Sequence, residues 1–95
     1  MEVTASITAI QTYLKQNLQD CQVEFRGIDT TEQDFLVLLV DGLELAVRMQ
    51  VERTFAEQPP EVITERLQQW QIVKHIQELR FGQLVLGQEG FYTHG

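Results

Sequence analysis

Few side chains in this chain of 95 residues have chemistry to offer: two histidines, one cysteine and fourteen carboxylates. His75 has Glu78 three residues on, a spacing at which a helix brings side chains together, so a histidine–carboxylate contact is open to it. General-base work also needs a substrate group and a pocket, and nothing in the sequence supplies either. His75 is therefore expected to be structural. His94 falls in a Gly-rich stretch, 88–95, expected to be loose unless Phe91 and Tyr92 dock. Cys21 opens an alternating segment on its apolar side, where a cysteine acts as a small hydrophobe more than as a nucleophile.

Metal ligation by Cys21, His75 and His94 would need three remote positions to converge, and no CxxC or HxxxH spacing occurs. Asp29, Glu32 and Asp34 have a spacing similar to that of calcium loops. The central glycine and the distal glutamate of such a loop are missing, so a solvated turn is expected. Glu61 and Glu65 share one helical face, as solvated carboxylates do. No Gly-rich loop leads into a helix, which leaves phosphate binding without support. The expectation is no enzyme, no cofactor and no metal.

The elements that carry these residues can be read from periodicity. Val3, Ile7, Ile10, Leu14 and Leu18 recur every three or four positions, a helical stripe that Thr4 or Ser6 can cap and Asn17 to Asp20 can end. Cys21, Val23 and Phe25 alternate with Gln22, Glu24 and Arg26, a half-buried strand ended by Gly27. Pro59, Pro60 and Glu61 open a second helix, with Ile63, Leu67, Trp70, Val73 and Ile76 on its apolar stripe. That helix is expected to continue to about Leu79 and to end at Gly82. Leu84 and Leu86 lie in a short apolar segment that reads as a possible fourth strand.

Between these lies the clearest local signal, residues 35–53. Asp41-Gly42 separates two apolar runs, and Asp-Gly suits a two-residue turn that needs positive φ. Centring the turn there sets Val40 opposite Leu43, Leu38 opposite Leu45 and Leu36 opposite Val47. Leu36, Leu38, Val40, Leu43, Leu45, Val47, Met49 and Val51 then share the core face. Phe35, Val37 and Leu39 fall on the other face, with Ala46 opposite Val37. A strand apolar on both sides implies that both faces are covered, and a bare strip would be a contact site.

The expected architecture is a single α+β domain, 1–95, in the order α-β-β-β-α: a three-stranded antiparallel sheet with helices packed on one face, and 82–95 partly loose. This order resembles the layout of the double-stranded RNA-binding domain. That family reads phosphates from the start of its second helix. Here the helix start runs Pro59-Pro60-Glu61-Val62-Ile63-Thr64-Glu65, which is acidic, so the resemblance implies architecture and not RNA binding.

Seven basic against fourteen acidic residues give a formal charge of −7, which repels nucleic-acid backbones. One cysteine, no leader-like start and no apolar run of about 18 residues point to a soluble cytoplasmic protein without membrane contact. The function expected is a non-enzymatic protein-interaction module, homodimeric, whose surface draws on Phe35, Val37, Leu39, Ala46, Leu84, Leu86, Phe91 and Tyr92. The alternative is a small acidic inhibitor or decoy of a basic nucleic-acid-handling protein.

Overall fold

Alternation and helical periodicity both survive into three dimensions, but in more pieces than the sequence suggests. The computed structural model describes residues 4–29 and 35–94. The described elements are α1 (Thr4–Asn17), β1 (Cys21–Asp29), β2 (Phe35–Gly42), β3 (Leu45–Glu52), α2 (Arg53–Ala56), α3 (Pro60–Gln69), α4 (Ile72–Leu79), β4 (Phe81–Gly87) and β5 (Gly90–His94). The strands form one sheet in the order β1-β2-β3-β4-β5. All neighbours are antiparallel except β3 and β4, which are parallel.

The α+β class therefore stands, while the three-stranded antiparallel sheet is corrected to a five-stranded mixed one. The segment expected to be loose, from Gly82 onward, is a strand and a returning hairpin strand as far as His94. Gly82 does not end a helix. The last helix stops at Leu79, and Arg80 turns the chain with φ 62° while its carbonyl accepts from the Ala46 N–H at 2.7 Å.

The second expected helix is divided. Ile63 and Leu67 are buried in α3, and Ile72 and Ile76 in α4. From Leu67 to Ile72 is five residues, more than one helical turn, so an unbroken helix would rotate Ile72 off the buried stripe. Gln71, with φ 53°, takes up the difference. The break also lets each helix serve a different neighbour, α3 against α1 and α4 against β3. A further turn, α2, buries Phe55 and Ala56 directly after β3.

The hairpin turn is also displaced. Gly42 pairs with Leu45, Val40 with Val47, Leu38 with Met49 and Leu36 with Val51. The turn residues are Leu43 and Glu44, and Glu44 carries the positive φ, 57°. Gly42 is needed elsewhere: a Cβ there would lie 2.5 Å from the Cys21 sulfur and 3.2 Å from the Asp20 carbonyl oxygen. Close approach of β1, which pairs Cys21 with Gly42, thus claims the glycine that the local pattern assigned to the turn. The slip is four positions along β3, an even number, so every paired side chain keeps its face. Leu43 alone leaves the core face, becoming 89% exposed in the turn.

One core results. Leu36, Leu38 and Val40 of β2, Val47, Met49 and Val51 of β3, and Leu84 and Leu86 of β4 pack with buried residues from all four helices. The helices therefore lie on a single side of the sheet. Among the described residues, no helix is long and apolar enough to cross a membrane.

Substitutions at Gly42 and Gln71 test these two features. Gly42→Ala should cost about 1–3 kcal/mol by overpacking against Cys21, and Cys21→Ala in the same chain should recover part of it, read by denaturant unfolding. Gln71→Gly should leave stability within about 1 kcal/mol of native or raise it, whereas a β-branched Gln71→Val should lose about 1–2 kcal/mol at this left-handed position.

Candidate functional site

The side of the sheet that faces away from the helices is laid out by the strand registers. One row reads Glu24, Leu39, Arg48, Gln83 and His94 from β1 to β5. The next reads Gly27, Val37, Gln50, Val85 and Tyr92. Flanking these are Gln22, Asp41, Ala46 and Phe81 on one side, and Phe35 paired with Glu52 on the other.

The apolar residues of this face form a second, smaller set. Val37 and Val85 are only 6% and 3% exposed, yet neither belongs to the main core cluster. Their rank across the sheet, either side of Gln50, and the half-burial of Phe35 and Leu39 mark an apolar strip that neighbouring side chains cover in part. Phe81 and Tyr92 stand at its margin, 60% and 62% exposed. Two open depressions, of about 270 and 390 Å³, meet at Leu39 and Arg48.

The charges here are sparse. Arg48 is exposed at the middle of the sheet and forms no ion pair among the described residues. Glu24 lies 3.4 Å from Arg26, with both side chains more than half exposed, so the pair contributes little. Gln83 donates to Gln50 across the parallel β3–β4 boundary. At the turn end of the sheet, Arg80 reaches Glu44 at 3.2 Å, joining two of the residues that hold positive φ.

Of the residues expected to form an interaction surface, Phe35, Val37, Leu39, Ala46 and Tyr92 occupy this face. Ala46 stands opposite Asp41 and Phe81, not Val37, because of the displaced turn. Leu84, Leu86 and Phe91 require correction. Leu84 and Leu86 are fully buried against the helices, since β4 pairs with β3 and sets them beside Met49 and Val51. Phe91 packs on the same side, its ring 5.9 Å from Trp70 and 4.8 Å from His75. Phe81 and Val85 were missed, although Phe81, Gln83 and Val85 alternate with Gly82, Leu84 and Leu86 as the two sides of a strand must.

The residues with chemical potential do not converge. His75 lies against Phe91, and Glu78 pairs with Lys74 at 4.0 Å. His94 is exposed at the end of β5. Cys21 is half-buried, and its burial, aided by the nearby carboxylates of Asp20 and Asp41, pushes the thiol pKa up. Less of it is thiolate at neutral pH, which lowers its nucleophilicity. Among the described residues, no three His, Cys, Asp or Glu side chains group to hold a metal. The loop containing Glu32 and Asp34, and the side chain of Asp29, lie outside the described residues.

No protein-family model, no curated protein and no solved structure matches the chain.

The raised thiol pKa gives a direct expectation. At neutral pH a thiol-specific reagent such as Ellman's reagent should modify Cys21 severalfold more slowly than it does a free cysteine. Unfolding in denaturant should abolish the difference, and raising the pH should narrow it as the thiol ionises.

Proposed function

We propose that this chain is a non-enzymatic protein-interaction module that forms a homodimer through the helix-free face of its sheet. The observation that carries the reading is the strip Phe35, Val37 and Leu39 on a face that none of the described helices covers. Antiparallel sheets commonly turn one face to water, but that face is then polar at alternate positions. Here β2 is apolar on both sides, and a contiguous apolar strip on a small domain favours burial against protein. Phe81 and Tyr92 extend the apolar surface toward the far edge of the sheet. The reading takes the setting to be the reducing cytosol, in keeping with a single unpaired cysteine.

A second reading, an acidic decoy for a basic nucleic-acid-handling protein, draws on the charge of −7. Solution mass separates the two. Light scattering on the purified protein should give the mass of two chains, and Leu39→Glu should weaken association at least about tenfold, with the circular dichroism spectrum unchanged. A mass of one chain, together with capture of basic proteins that fails at high salt, favours the decoy instead.

A further inference from the structure

We propose that two copies pack open face to open face about a twofold axis running along β2, and that Arg48 of each copy pairs with Glu24 of the other. This rests on the homodimer reading and assigns its geometry. Its basis is one row of the sheet, Glu24–Leu39–Arg48, in which a carboxylate and a cation flank an apolar residue. Neighbouring strands lie about 4.8 Å apart, so Glu24 and Arg48 stand about 10 Å apart with Leu39 between them. Within the chain the two do not pair: Glu24 contacts Arg26, and Arg48 has no ion-pair partner among the described residues.

A twofold axis lying in the interface along β2 exchanges β1 with β3. Each Glu24 then faces an Arg48, twice per dimer, while the β2 strands meet at Val37 and Leu39. The other simple axes fail on charge. An axis along β3 stacks Arg48 on Arg48. An axis crossing the strands at this row sets every charge against its like, and like-charge contacts oppose association. With the axis on β2 the like-charge meetings fall at the two ends of the strip: Asp41 with Asp41 at one end and, at the register positions beside Phe35, Glu52 with Asp29 of the other copy at the other. Facing sheets cross at about 30°, so strands that touch at Val37 and Leu39 diverge toward both ends, away from these like-charge positions. The contact between Glu24 and Arg26 does not compete strongly, because both are exposed and a carboxylate accepts several donors.

Charge reversal tests the pairing. Association is measured by sedimentation equilibrium at low ionic strength for the native chain, Arg48→Glu, Glu24→Arg and the double reversal. Both positions are exposed, and far-UV circular dichroism checks that each variant is folded. Each single reversal should raise Kd about tenfold or more, and the double reversal should return it to near the native value. A native chain that is monomeric overturns the homodimer reading and this geometry together. A native dimer that Leu39→Glu dissociates, but that neither single reversal weakens, leaves the reading standing and overturns the axis. Single reversals that weaken the dimer without recovery in the double variant also overturn the pairing.

Discussion

The parallel pairing of β3 with β4 is the constraint on which the rest of this structure depends. A strand that runs parallel to its predecessor can be reached only after the chain has returned the length of the sheet. β3 has eight residues and spans about 26 Å. The ten residues of α3 and the eight of α4 rise about 15 and 12 Å, together the same distance. The return must also cover the apolar side of β2 and β3, so all its helices lie there, with α1 beside them. Single-sided coverage of the sheet is thus a consequence of one strand's direction.

The return is secured at its far end by aromatic packing. Trp70 ends α3 with its ring 5.7 Å from Phe55, which follows β3, and 5.9 Å from Phe91 of β5. His75 lies against the same Phe91. Such ring contacts contribute about 0.5–1.5 kcal/mol each beyond the area they bury. They link the break between α3 and α4 to the terminal hairpin. This explains why a Gly-rich segment that looks loose in isolation is held as β5: its order comes from Phe91 and from pairing with β4, not from local propensity.

The opposite face carries what this arrangement leaves over. Half of β1, β2 and β3 must point away from the helices, and in β1 and β3 those positions are largely polar. In β2 they are not. The apolar strip, the isolated Arg48 and the carboxylate of Glu24 acquire meaning together only because the sheet aligns them in one row. A polar face needs no partner; under the homodimer proposed above, the apolar strip and the opposite charges beside it form one self-complementary surface.

Much of the local organisation was legible in the sequence. Side-chain parity along β2, β3 and β1 as far as Phe25 follows from a period of two, so the division of Leu36, Leu38 and Val40 from Phe35, Val37 and Leu39 held even though the turn moved; beyond Phe25 a bulge in β1 reverses it. A slip by an even number cannot exchange the faces of a sheet. The first helix was equally plain, because Ile10, Leu14 and Leu18 depend only on helical periodicity. The turn position was not legible, since Gly42 is required by the approach of Cys21 from a strand about twenty residues earlier. Nor was the break at Gln71, which reflects two helices packing on different neighbours. The burial of Leu84, Leu86 and Phe91 depended on which strand β4 would join and in which direction. Periodicity is a property of neighbours along the chain and can be read there; strand partnership, register and coverage are properties of neighbours in space, and only the tertiary structure decides them.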